Sequence, residues 1–122
     1  MIKKVLIADD EQNIVISLDF LLRREGFEVL VAADGEEALA KIRSDRPDLV
    51  LLDVMMPKMN GFDVCKALSA DPELASIRVL MLTAKGRDTE VTKGLGLGAD
   101  AYMTKPFSTK ELVVKVRALL GM

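Results

Sequence analysis

Five polar residues stand directly after short apolar runs, and together they form a set with a definite chemistry. Asp9 and Asp10 follow Val5-Leu6-Ile7-Ala8, and Asp53 follows Leu49-Val50-Leu51-Leu52. Thr83 follows Val79-Leu80-Met81-Leu82, and Lys105 follows the run from Ala101 to Thr104. Three carboxylates brought to one place repel, and some shift their pKa upward unless a cation relieves them. Mg2+ does this with oxygen ligands in octahedral geometry, commonly one or two carboxylates, waters and phosphate oxygens. A carboxylate beside such an ion is a nucleophile toward phosphorus. Lys105 adds a point charge and Thr83 a hydroxyl donor, both suited to phosphoryl oxygens. The set is a kit for phosphoryl transfer.

Taken singly, each residue has a plainer reading. Asp9-Asp10-Glu11 also suits a helix N-terminus, where acids complement the dipole. Asp53 suits a turn, Thr83 the cap of a fourth helix, and Lys105 a solvated loop before Pro106. Met55, Met56 and Met59 read as core or loop packing, since thioethers do not suit Mg2+.

Joint placement is what separates the readings, and it depends on the elements that carry these residues. Val5 to Ala8 reads as a strand covered on both faces. Ile14, Leu18, Leu21 and Leu22 then make a helical stripe, stopped by Gly26. Glu28 to Ala33 is a second strand, and Asp34-Gly-Glu-Glu37 opens a helix as a capping box. That helix turns Ala38, Leu39 and Ile42 inward and has Pro47 beyond its end. Leu49 to Leu52 is the third strand, and a loop with Pro57, Asn60 and Gly61 leads into a helix running through Leu68 and closed by Asp71-Pro72. Val79 to Leu82 is the fourth strand. The helix expected around Thr89 to Leu97 is weakened by Gly94, Gly96 and Gly98. Ala101 to Thr104 is a fifth strand, and Ser108-Thr-Lys-Glu111 caps a last helix with Leu112, Val116, Leu119 and Leu120 on its stripe.

Five strands alternating with five helices imply βαβ units, hence an α/β fold with a parallel sheet between two helical layers. The carboxyl ends of parallel strands share one edge, where ligands of open α/β sheets bind. All five polar residues belong to that edge.

Composition narrows the field further. The 122 residues suit one domain, residues 1–122, with no linker, repeat or low-complexity tract. The net charge of −2 argues against a nucleic-acid surface, which needs a clustered basic excess. The lone Cys65 precludes an internal disulfide and reads as a small buried residue. No apolar run is long enough for a bilayer, and the apolar stretch near the start is too short for a signal peptide, so a cytoplasmic location without membrane contact is expected. The chain has no histidine, which removes imidazole acid–base chemistry and any phosphohistidine of its own.

The stretches Leu-Ile-Ala-Asp9-Asp10-Glu, Asp48-Leu-Val-Leu-Leu-Asp53-Val-Met-Met-Pro57-Lys-Met-Asn-Gly61, Leu-Thr83-Ala84 and Gly98-Ala-Asp-Ala-Tyr102-Met-Thr-Lys105-Pro106-Phe107 resemble the response-regulator receiver family, in order and through essentially the whole chain. The resemblance implies a flavodoxin-like sheet in the order 2-1-3-4-5. It implies that Asp53 accepts a phosphoryl group and that Mg2+ is held by Asp9, Asp10, Asp53 and the backbone carbonyl of Met55. Thr83 and Lys105 then bind phosphoryl oxygens, Tyr102 is an aromatic switch coupled to Thr83, and the Lys105–Pro106 bond is cis. Met55 and Lys85 flank the pocket at positions that tune autodephosphorylation, and Ala101 stands where an acid is common.

On that footing the protein is a phospho-acceptor that promotes its own phosphorylation and slow dephosphorylation, not a conventional enzyme. The expected donor is a sensor histidine kinase or phosphotransfer protein, and the expected receiver of the signal is an output domain or protein. A homodimer through the fourth helix, fifth strand and fifth helix is one further arrangement. The alternatives are a phosphorylation-independent binding module of the same fold and an aspartyl-nucleophile phosphatase, although the latter carries an acid where Met55 stands here. Gly94-Leu-Gly96-Leu-Gly98 lacks the spacing and strand context of a dinucleotide fingerprint.

Overall fold

The computed structural model describes residues 2–84 and 88–122, with the backbone alone for residues 88–91. Among these residues five strands alternate with five helices: β1 (Lys4–Ala8), α1 (Gln12–Arg24), β2 (Glu28–Ala32), α2 (Gly35–Asp45), β3 (Leu49–Asp53), α3 (Gly61–Ala70), β4 (Arg78–Ala84), α4 (Asp88–Gly96), β5 (Ala101–Lys105) and α5 (Thr109–Leu119). A single 3-10 turn, Pro72–Leu74, links α3 to β4. Every neighbouring pair of strands is parallel, and the order is β2-β1-β3-β4-β5. This is the flavodoxin-like α/β architecture.

The period-2 alternation of strands explains how the sheet is covered on both faces. Val5, Ile7, Leu49, Leu51, Leu80 and Leu82 face a core completed by Leu18 and Leu22 of α1 and by Leu112 and Val116 of α5. Leu6, Ala8, Val50, Leu52, Val79 and Met81 face the opposite core, with Ala38 and Ile42 of α2 and Val64, Cys65 and Leu68 of α3. Fully burying one such side chain contributes about 1.5–3 kcal/mol, so β1, β3 and β4 are the rigid centre of the molecule. Their carboxyl ends inherit that rigidity.

The strands run further than their apolar residues. β3 includes Asp53, β4 continues through Thr83 to Ala84, and β5 ends on Lys105. The expectation that these polar residues follow their strands is corrected accordingly: the ladder continues through them, with Asp53 opposite Leu82 and Thr83 opposite Thr104. At β2 the correction is the reverse, since the strand ends at Ala32 and not Ala33. There the Ala33 amide donates to Glu37 Oε1, at 2.6 Å, while Asp34 accepts from the Glu37 amide at 2.8 Å to complete the cap of α2.

Two glycines set how closely helices approach the sheet. A Cβ at Gly61 would press on the Asp53 carbonyl, so the start of α3 lies against the end of β3 only because no side chain is there. A Cβ at Gly94 would collide with Met81 Sδ. Gly94, read from sequence as a weakness in the fourth helix, is also where α4 comes close to the Met81 side chain of β4. Among the described residues no helix is long and apolar enough to cross a membrane.

Candidate functional site

The ends of β1, β3, β4 and β5 meet at one edge of the sheet. Asp9 is tied to β2 by its amide, which donates to the Ala32 carbonyl at 3.1 Å. Its Oδ1 accepts from the Glu11 amide at 2.9 Å, and its Oδ2 accepts from Lys105 Nζ. Asp9, Asp10 and Asp53 each offer a carboxylate oxygen, and these oxygens lie within 4.8 Å of one another. Asp10 is exposed, whereas Asp9 and Asp53 are 1% and 5% exposed and, with Thr83, are buried polar side chains in an otherwise apolar interior.

Burying acids without matching donors carries a free-energy cost. Burial and then the neighbouring Asp9 charge push the Asp53 carboxyl up from 3.8 to about 6, although Lys105 and the Met55 backbone pull it down. Lys105 is the counterweight. Its Nζ lies 2.9 Å from Asp9 Oδ2, 3.1 Å from Glu11 Oε1 and 3.3 Å from Asp53 Oδ1. Burial alone lowers an ammonium, but hydrogen bonds to Asp9 and Glu11 and the charges of Asp53 and Asp9 leave Lys105 above its ordinary value.

Thr83 differs in kind. Its Oγ1 is buried and, among the described residues, has no hydrogen-bond partner. Nearly all buried polar groups in folded proteins are paired, so an orphaned hydroxyl one residue beyond Leu82, the register partner of Asp53, asks for a ligand. The plainer readings of these residues give way at this point. Thr83 lies inside β4, as a strand residue. Asp53 is a strand residue, and the Lys105 side chain is mostly buried.

Glu11 is the residue whose long-range contact sequence reasoning did not assign. It occupies the N-cap of α1 but makes no capping bond with its side chain. It holds Lys105 instead, across 94 positions of chain. The only sequence signal was its adjacency to Asp9-Asp10. Met55 is corrected too: Met56 is buried, but the Met55 side chain is exposed and only its backbone bears on Asp53. Tyr102 stands apart from the carboxylates, opposite Met81 and 42% exposed. The Lys105–Pro106 peptide bond is cis, and Lys85 lies outside the described residues. Cys65 is buried, its thiol pushed up by burial to about 12, which makes it an inert packing residue.

With this geometry in view, similarity to known proteins is informative. The family model described as "Response regulator receiver domain" matches residues 5–117. The chain is 50% identical over 120 residues to the alkaline phosphatase synthesis transcriptional regulatory protein PhoP of Bacillus subtilis, covering 98% of this chain and 49% of that protein. It is 48% identical to the DNA-binding response regulator MtrA of Mycobacterium tuberculosis H37Rv, covering 98% of this chain and 51% of that one. The chain thus spans about half the length of the curated relatives it matches. Among solved structures, a putative response regulator from Chloroflexus aurantiacus superposes with a TM-score of 0.95 at 37% identity, over the full length of both chains. The chemotaxis response regulator CheY4 of Vibrio cholerae superposes at 0.91 with 34% identity, over 98% of this chain and 99% of that one.

Proposed function

Since the chain belongs to the response-regulator receiver family, we propose that Asp53 is its phospho-acceptor and that Asp9, Asp10, Asp53 and the Met55 carbonyl hold Mg2+. The single observation carrying this reading is the meeting of three carboxylates, a shared lysine and an orphaned threonine hydroxyl at one sheet edge. The donor set fits the ion, because hard oxygen ligands without histidine or cysteine suit Mg2+ better than zinc. Bound there, Mg2+ supplies positive charge that offsets the carboxylates and the incoming phosphoryl oxygens.

The chain's own residues account for the rest. An Asp53 oxygen attacks phosphorus, the bond from phosphorus to the donor atom breaks, and the donor leaves with that electron pair. Lys105 Nζ, already 3.3 Å from Asp53 Oδ1, pairs with one phosphoryl oxygen. Thr83 Oγ1 donates to another and so acquires the partner it lacks. Phosphorylation thereby favours a state in which β4 and β5 close on the phosphoryl group, with the half-exposed Tyr102 ring turning inward.

With no histidine in these 122 residues, the donor lies outside this chain, either a phosphohistidine of a sensor kinase or phosphotransfer protein, or a small acyl phosphate. The signal passes to an output partner, as the roughly twofold length of relatives named as transcriptional or DNA-binding regulators supports. The receiver itself contacts no nucleic acid in this reading. Exposed Leu95, Tyr102 and Val114, on α4, β5 and α5, support that face as the partner or homodimer surface. The protein is a cytoplasmic phospho-acceptor with slow self-dephosphorylation rather than an enzyme acting on a separate substrate.

Intact-protein mass spectrometry after incubation with acetyl phosphate tests this. One phosphoryl adduct that requires both Mg2+ and Asp53 is expected. An adduct that persists in Asp53→Ala means a different acceptor, and no adduct under any condition leaves a binding-only module.

A further inference from the structure

We infer that Glu11 is a positioning residue that takes the Lys105 ammonium away from Asp9 and Asp53 when a divalent cation enters the carboxylate cluster. The inference rests on the reading of Asp9, Asp10 and Asp53 as the cation site.

Lys105 Nζ is shared among three carboxylates, at 2.9 Å from Asp9, 3.1 Å from Glu11 and 3.3 Å from Asp53. Asp9 and Asp53 belong to the cluster of mutually close oxygens, and Glu11 does not. Lys105 therefore sits where an entering cation must go, as a resident positive charge on two of its ligands. Two cations at contact distance on the same oxygens repel, and burial weakens the screening that would relieve this. An ion that binds Asp9 and Asp53 has to move the ammonium. Among the described residues, Glu11 is the Lys105 partner outside that cluster, and so the acceptor that can receive the ammonium without its leaving the neighbourhood.

Two features of Glu11 are otherwise unexplained. Glutamate is not among the residues that cap helices well, yet it stands at the N-cap of α1. Its side chain is exposed and makes no capping bond, but reaches across to β5 instead. A purely local role at the helix start accounts for neither. A carboxylate at the rim, one ammonium's reach from the buried pair, accounts for both.

Calorimetric titration of MgCl2 into the whole chain tests the inference, using wild type, Glu11→Gln, Lys105→Met and the double variant. Glu11→Gln weakens Mg2+ binding about fivefold, because Lys105 is left with only the ion's own ligands, and a partly exposed ion pair accounts for a factor of that order. Lys105→Met tightens binding. In the Lys105→Met background Glu11→Gln then changes the affinity by less than about twofold, because Glu11 acts only through the lysine. An equal loss in both backgrounds means that Glu11 acts as a bare charge, and no loss in either means that it does not act at all; each overturns the inference. If wild type binds no Mg2+, the cation-site reading itself falls and the inference with it, a result distinct from the other two. Glu11 is exposed, so the substitution leaves the fold intact.

Discussion

The two edges of the same sheet use the same residue types to opposite ends. At the amino edge, Asp48 Oδ2 accepts from the Lys4 amide at 2.8 Å, and the Asp48 amide and carbonyl join β1 and β4 through Lys4 and Arg78. Asp100 Oδ2 accepts from the Val79 amide at 2.8 Å, and its other oxygen meets Arg78 Nη1 at 3.3 Å. These carboxylates take backbone N–H groups where strands begin, and every named oxygen has its donor. At the carboxyl edge, Asp53 is held up near 6 by burial and by Asp9, Lys105 divides itself among three acids, and Thr83 Oγ1 has no partner among the described residues. One edge closes the fold. The other keeps polar groups that the fold does not satisfy, which is the condition for binding something else.

The sharpest way to break this contrast is to exchange the two edges' acids in the phosphorylation assay. Asp53→Asn is expected to abolish the acetyl phosphate adduct, whereas Asp48→Asn retains it. Loss of the adduct in Asp48→Asn, with the fold preserved by circular dichroism, would make the amino edge part of the chemistry and end the division of labour.

Stability is expected to move the other way. A carboxyl whose folded pKa lies above its unfolded value binds its proton more tightly in the native state, so its ionisation opposes folding. The cost is absent below 3.8, grows through the interval and is complete above about 6. Asp53→Asn is therefore expected to stabilise the metal-free protein by about 2–3 kcal/mol at pH 7, at the upper end of what the shift allows. Urea unfolding at several pH values checks the sign: the advantage of Asp53→Asn over wild type should grow from pH 4 to pH 6 and then level off. A variant less stable than wild type at pH 7 would mean that the carboxyl edge is satisfied after all.

Asp48→Ala should show the converse on a smaller scale. It strips the acceptor from the part-buried Lys4 amide, and an abandoned buried donor costs about 1–2 kcal/mol. The same urea experiment should find that loss, and addition of Mg2+ should not recover it. A recovery with Mg2+ would link the two edges.

The fold was legible because the sequence states its periodicity plainly. Runs such as Val5 to Ala8 and Leu49 to Leu52 are apolar on both faces because both faces are covered, and the capping pair Asp34 and Glu37 marks a helix start by local hydrogen bonds alone. The strand order and the roles within the site came from resemblance, since periodicity carries no information about which strands become neighbours. Two features stayed hidden because they depend on contacts far apart in the chain. Gly94 looked like a helix defect until Met81 was seen to fill the space beside it, and Glu11 looked like part of a helix start until Lys105 arrived from β5. Position along the sequence does not reveal either neighbour.

The smallest effect is expected where an amino-edge acid is exposed. Glu73 meets Arg46 Nη2 at 3.3 Å, but both side chains are largely in solvent. Arg46 also donates to the Glu73 carbonyl at 3.1 Å and to the Arg43 carbonyl at 3.1 Å, contacts that a change of the Glu73 side chain leaves in place. An ion pair of this kind contributes about 0–0.5 kcal/mol after screening and side-chain entropy. Glu73→Gln should thus lie within about 0.5 kcal/mol of wild type in urea unfolding. A loss as large as that of Asp48→Ala would mean that location at the amino edge, rather than burial against a backbone donor, decides what a carboxylate contributes. The predicted near-silence of Glu73→Gln assigns the difference between the edges to buried donors that are met at one and left open at the other.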